Sequence, residues 1–101
     1  MTGRDQRGVQ KSLIDEEWSE FHEAYHLKDE CEQLKDLADL VYVCFQFAAS
    51  QEWDLDEAMH RVHASNMSKL GEDGKPIYRE DGKVLKGPNY KPPTLNDLIL
   101  K

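Results

Sequence analysis

Cysteine, positive charge and long apolar runs are all in short supply in this chain. Its two cysteines, Cys31 and Cys44, are too few for a disulfide framework, and Cys44 falls inside an apolar segment. Both read as reduced thiols of a cytoplasmic protein. Thirteen basic against twenty acidic residues leave a net charge of −7. That balance argues against a nucleic-acid backbone as partner. No apolar run reaches membrane-spanning length, and Met1-Thr2-Gly3-Arg4 leads into polar residues where a signal peptide would turn apolar. At 101 residues one domain is expected, over 1–101, with a modest core of its own.

What is present is helical periodicity. Residues 1–11 are polar and aperiodic and are expected to be irregular. Ser12-x-x-Asp15 resembles a capping box, so a first helix is expected over 12–27, with Ile14, Trp18, Phe21 and Tyr25 as its apolar stripe. A second helix is expected over 29–51. Its centre, Leu40 to Ala49, is apolar on almost every side and must be covered from several directions. So few helices can hardly supply that cover within one chain. A homo-oligomer is therefore expected, dimer or tetramer, in which helices of several copies complete a four-helix bundle around this segment.

Asp54-x-x-Glu57 is a second capping box and Gly71 a natural end, which bounds a third helix with Leu55, Ala58, Met59 and Val62 buried. The helical core is thus expected over 12–71. Beyond it, Pro76-Ile77-Tyr78-Arg79 and Lys83-Val84-Leu85-Lys86 flank Asp81-Gly82, a β-hairpin signal. An extended tail follows, with Thr94-x-x-Asp97 able to cap a last helical turn. The fold class is all-α with a short C-terminal hairpin and tail over 72–101.

Two acidic pairs dominate the helices. Glu17 and Glu20 are three residues apart, as are Asp36 and Asp39, and each pair lies on one side of its helix. Carboxylates cluster against their mutual repulsion when a cation offsets it. On a helical wheel, Glu16 and Glu23 fall on the far side from Ile14. Glu17 and Glu20 fall at the edge of the apolar face, where a carboxylate is partly desolvated at real cost unless paired or liganded. Asp36 and Asp39 share a face with Glu32, Val43 and Gln46, and Asp is a poor helix-interior residue. The bland alternative is a solvated acidic stripe. In the third helix Asn66 and Lys69 share the side of Leu55, Met59 and Val62. They either meet the acidic cluster or a phosphate, or Lys69 merely snorkels at a helix end.

Other motifs compete. His22-Glu23-Ala24-Tyr25-His26 is literally H-E-x-x-H, the zinc-protease helix motif. No third-ligand motif follows it, and both histidines lie on the outward side. Glu23-x-x-His26 lacks the second copy that a di-iron bundle needs. His60 and His63 also face outward. All four read as surface histidines. A non-catalytic alternative remains: a helical oligomerisation or regulatory module whose acidic face binds a basic partner.

In order, Glu16-Glu17-x-x-Glu20, then Asp36-Leu37-Ala38-Asp39-Leu40-Val41-Tyr42, then Asn66-Met67-Ser68-Lys69-Leu70 resemble the MazG-type all-α nucleotide pyrophosphohydrolases, the superfamily of phosphoribosyl-ATP pyrophosphohydrolase. The resemblance covers about residues 12–93. It implies Mg²⁺-dependent hydrolysis of a nucleoside triphosphate or related nucleotide to monophosphate and pyrophosphate, with Mn²⁺ as a possible substitute. It also implies Glu17, Glu20, Asp36 and Asp39 as metal ligands. Asp36 stands where the family has Glu, and the family carries a longer helix before the first motif. Cleavage at the α-phosphorus needs charge neutralisation, in-line positioning and a water. Glu16 or Glu20 would be the base. Asn66, Lys69, Lys75 and Arg79, with Lys83 and Lys86, are the candidates to hold phosphates. Tyr90 or Trp18 would stack on a base, though Trp18 also suits a core position.

Overall fold

The computed structural model describes residues 3–99. Residues 1 and 2 of the expected irregular leader, and 100 and 101 of the tail, lie outside the described residues. Among the described residues three α-helices form in order: α1 over Gly3–Leu27, α2 over Glu30–Ser50 and α3 over Leu55–Met67. A 3-10 turn follows at Asn96–Leu98. No named β-strand is found among the described residues, so the class is all-α. The chain divides into two compact units, Met1–Trp53 and Asp54–Lys101.

The first unit is an antiparallel helical hairpin. Its link is only Lys28 and Asp29, and Lys28 takes a left-handed φ of 57° to reverse the chain. Asp29 then caps α2, its carboxylate accepting from the Glu32 N–H at 3.1 Å. Gln33 closes the corner by donating its side-chain amide to the Ala24 carbonyl at 3.3 Å. At the other end Arg7 lies over the rings of Phe47 and Trp53, 5.9 and 5.6 Å from their centroids.

One expectation is corrected at the start of α1. The helix does not begin at Ser12 but at Gly3. Ser12 is an interior residue whose hydroxyl donates back to the Gly8 carbonyl at 3.1 Å, the i−4 bond that lets serine sit inside a helix. Arg7, Gly8, Val9 and Lys11 are exposed on this helix, so the lack of an apolar pattern there does not mean the lack of a helix. α1 therefore reaches further ahead of the acidic motif than the sequence pattern suggests.

The apolar faces are also distributed differently from the wheel centred on Ile14. Among the described residues of this unit Ala24, Asp36, Val43 and Ala48 are buried, with Gln10, Leu13, Ile14, Glu17 and Phe21 half-buried along α1. Trp18 and Tyr25 are exposed. On α2 the side bearing Asp36 and Val43 is covered, whereas Leu34, Leu37, Val41, Tyr42 and Phe45 are exposed, Leu34 to 70%.

In the second unit Asp54 caps α3, accepting from the Glu57 N–H at 3.0 Å, as its spacing predicts. Leu55, Ala58 and Val62 are half-buried, but Met59 is exposed. The helix ends at Met67, four residues before the expected glycine stop, because the tail captures its end. The Ser65 hydroxyl, buried, donates to the Lys91 carbonyl at 2.7 Å, and the Lys91 N–H donates to Ser68 Oγ at 2.9 Å. Gly87 donates its N–H to the Lys69 carbonyl at 2.8 Å. Arg61 ties down the last segment, donating to the Thr94 carbonyl at 3.0 Å and forking onto Asp97. The expected hairpin reduces to one antiparallel bridge, Tyr78 with Val84, around a turn with Gly82 at φ 91°. Two strands this short have no sheet to pack on and do not extend further.

Candidate active site

The antiparallel hairpin sets one acidic turn of α1 against one acidic turn of α2. Asp36 is 5% exposed, a depth at which an aspartate on a helix calls for a partner. The nearest charge of opposite sign is Lys35, whose Nζ lies 3.4 Å from Asp36 Oδ1 and 3.4 Å from Asp39 Oδ2. Both contacts are long, and Lys35 itself is mostly exposed. The two carboxylates in turn hold the Lys35 ammonium above its ordinary range, through their hydrogen bonds and then their charge.

Across from them, Glu17 is half-buried. Its Oε2 is shielded from solvent and has no hydrogen-bond partner. The Glu17 carboxyl is pushed above the ordinary glutamate range, chiefly by desolvation. The hydrogen bond a protonated Glu17 gives Glu20 adds to this, as do the charges of Glu20, Asp39 and Glu16. Glu17 thus senses acidic residues from both helices. Glu20 is exposed and lines, with Asp36, Glu32 and Lys35, an open cleft of about 420 Å³ between the helices. Glu16 is exposed beside them.

Glu17, Glu20, Asp36 and Asp39 are therefore brought into one neighbourhood of the first unit. They do not close into a coordination sphere: among the described residues, no three His, Cys, Asp or Glu side chains are gathered tightly enough to hold a metal ion. Ionised carboxylates without a cation between them repel, and here one lysine stands in for that cation. The donor set nonetheless suits a hard divalent ion. It offers oxygen ligands only, one of them buried and one with a shielded oxygen that has no partner.

Apart from Trp18, which is exposed on α1, the other candidates belong to the second unit. Asn66 is exposed and Lys69 half-buried beyond the end of α3. Lys75 is exposed on a turn where its N–H donates to Asp73 at 3.0 Å. Arg79 is committed to a local fork with Asp81, which leaves little of its guanidinium for a phosphate. Tyr90 is half-buried with the Lys86 ammonium 5.0 Å from its ring centroid, so that face of the ring is already occupied.

Two residues escaped the sequence reading. Lys35 was not singled out, although its i,i+4 spacing to Asp39 was a usable signal. Gln10 was left in an irregular segment. It lies on α1 with its Oε1 shielded and unpartnered, two helical turns before Glu17 and on the same side.

The all-α hairpin sets carboxylates of two helices near one another, with Lys35 shared between Asp36 and Asp39. A family model for phosphoribosyl-ATP pyrophosphohydrolase matches residues 4–66, more than half of the chain. The chain therefore belongs to the phosphoribosyl-ATP pyrophosphohydrolase family, which carries a pyrophosphohydrolase-like function. No curated protein matches it. The match spans both acidic motifs and ends at Asn66, short of Lys69, Lys75, Arg79 and Tyr90. Among the described residues no helix is long and apolar enough to cross a membrane.

Proposed function

We propose that this protein is a Mg²⁺-dependent pyrophosphohydrolase that cleaves a nucleotide between its α and β phosphates, releasing the monophosphate and pyrophosphate. The observation that carries the reading is Glu17: a shielded carboxylate oxygen without a partner, surrounded by the acids of two helices. An isolated charge so placed destabilises the fold unless a cation or proton joins it.

Glu17, Glu20, Asp36 and Asp39 would hold the ion. Bound there, Mg²⁺ would screen the polyphosphate from this acidic chain and stabilise charge developing at the α-phosphorus. The protein's own part is positional. Asp36, fixed by burial, lines the cleft with Glu20, while Glu17 keeps a half-buried seat on α1. Glu20 and Glu16, both exposed, are free to accept the proton of an attacking water. Lys35 would yield its contacts with Asp36 and Asp39 to the ion, and its exposed side chain leaves it room to do so. Asn66, Lys69 and Lys75 remain candidate phosphate contacts.

We read the working unit as a homo-oligomer, the whole chain acting as one domain of this family. Its buried apolar residues, among those described, are only Ala24, Val43 and Ala48, while Leu34, Leu37, Val41, Tyr42 and Phe45 are exposed along one side of α2. A continuous apolar stripe of this kind marks an interface, and a second copy of the hairpin packed on it yields a four-helix bundle. Nothing in the sequence favours nucleic acid or membrane as partner, and a cytoplasmic location accords with two free thiols.

The reading is tested by measuring pyrophosphate release from a panel of nucleoside triphosphates and phosphoribosyl-ATP, alongside thermal melts with Mg²⁺ or Mn²⁺. Activity with at least one nucleotide and a metal-dependent rise in Tm are expected. Absence of both would leave a non-catalytic helical module with an acidic face.

A further inference from the structure

One cluster on α1 takes no part in the acidic site. His22 and His26 are one helical turn apart and exposed, with their Nε2 atoms 3.1 Å from each other. Both rings are steadied by aromatic neighbours. Trp18 stacks on His22 with centroids 4.9 Å apart and planes 15° from parallel. Tyr25 meets His26 edge-on at 5.7 Å and 82°.

We infer that His22 and His26 form a bidentate binding site for a borderline divalent transition cation such as Cu²⁺, Ni²⁺ or Zn²⁺. In the metal-free chain one Nε2–H donates to the other Nε2; a cation that takes the place of that proton, with each ring protonated on Nδ1, would meet both lone pairs. At a metal–nitrogen distance of about 2.0–2.1 Å, a 3.1 Å separation subtends an angle of about 100° at the metal. That lies between the angles of square-planar and tetrahedral sites, so either geometry is reached with little ring movement. Imidazole nitrogen is the ligand these cations prefer and Mg²⁺ does not. Among the described residues no third His, Cys, Asp or Glu joins the pair, so the remaining positions are open to water or to a small ligand. This excludes a buried structural metal and leaves an exchangeable surface site. The chain would then carry two chemically separate cation sites, oxygen-only between the helices and nitrogen-only on the outer turn of α1.

Trp18 makes the site measurable, because a paramagnetic cation bound against His22 quenches the indole stacked on that ring. The full chain is titrated with Ni²⁺ and with Cu²⁺ in excess Mg²⁺, which keeps the carboxylates occupied, and tryptophan emission is followed. Saturable quenching is expected in the parent protein. In His26→Ala the half-saturation concentration should rise about tenfold or more, since even an outer hydrogen-bonding partner of a metal ligand carries that much affinity. In Trp18→Phe the saturable component should vanish. All three side chains are exposed, so circular dichroism should report an unchanged fold. Linear, unsaturable quenching in the parent, undiminished affinity in His26→Ala, or a saturable component that survives Trp18→Phe would each overturn the assignment. None of these results depends on hydrolytic activity.

Discussion

The Lys35 ammonium lies 3.4 Å from Oδ1 of Asp36, an exposed cation reaching back to a carboxylate that is almost fully buried. Such a contact neutralises Asp36 only in part, and the same lysine also serves Asp39. If Lys35 holds the place of a metal ion, removing it has two opposite effects. Lys35→Met should lower Tm without metal, because a buried carboxylate loses its only cationic partner among the described residues. It should also lower the Mg²⁺ concentration at half-maximal stabilisation, because no ammonium then competes with the ion. Thermal melts across a Mg²⁺ series check both, and an unchanged Mg²⁺ midpoint would remove Lys35 from the site.

Asp39→Asn and Asp36→Asn should abolish pyrophosphate release while leaving the oligomer intact. Each replacement keeps the shape of the side chain and removes one charge from a repelling group. Metal-free Tm should therefore hold or rise, and the Mg²⁺-induced rise in Tm should shrink. An Asp39→Asn protein with parental turnover would show that this carboxylate has no role in the reaction.

Glu17 predicts the pH response. Its carboxyl is raised above the ordinary glutamate range by desolvation and then by Glu20, Asp39 and Glu16. At pH values between its unfolded and folded pKa, this group keeps a proton in the folded protein that it loses in the unfolded chain. Stability from this group is fully present below the unfolded pKa of about 4.3 and is lost as pH rises through the higher folded value. Melts without metal should therefore show a contribution that improves as pH falls from neutral toward that range. Saturating Mg²⁺ should flatten this contribution, since it favours the ionised form, and Glu17→Gln should remove it. An identical slope in parent and Glu17→Gln would assign the pH response elsewhere.

The exposed side of α2 gives a prediction for assembly. Val41 sits in the middle of the stripe formed by Leu34, Leu37 and Phe45, and half of its surface is open in the single chain. Val41→Asp costs an isolated hairpin little but places a charge at the centre of the proposed bundle interface. Sedimentation should show the oligomer dissociating toward monomer, with a Tm that depends on protein concentration. A Val41→Asp protein of parental mass and Tm would place the interface elsewhere.

The helices were legible where the pattern has a local cause. Asp29 and Asp54 cap α2 and α3 within the span their spacing predicts, because a capping carboxylate acts on the next turn alone. The inward lean of Glu17 and Asp36 was also readable, since it follows from the helical period. The start of α1 was not. Residues 3–11 carry no apolar stripe, and their helix is held at its far end by Arg7 over Phe47 and Trp53, a contact between residues forty positions apart that no local pattern announces. The Lys35 spacing to Asp39 on its own helix was a readable signal, whereas a lone glutamine such as Gln10 signals nothing by itself. The early end of α3 depends on Ser65 and Ser68 meeting Lys91, again a distant pairing.

That last pairing also rests on Gly87, whose N–H reaches the Lys69 carbonyl at 2.8 Å. A Cβ at Gly87 would lie 2.5 Å from the carbonyl oxygens of both Lys69 and Leu70. Those are backbone atoms at the end of α3, so no side chain can rotate away to make room. Gly87→Ala should therefore cost about 1–3 kcal/mol, as overpacking of a fitted site does. The loss should be confined to the second unit. Hydrogen exchange should show faster amide exchange at Gly87, Lys91 and the 3-10 turn at Asn96–Leu98, with α1 and α2 unchanged. Gly74→Ala makes the control: its Cβ meets nothing within 4 Å, and only the positive φ of 77° is strained. If Gly87→Ala exchanges no faster than Gly74→Ala, the close approach of Gly87 to the end of α3 does not hold the tail.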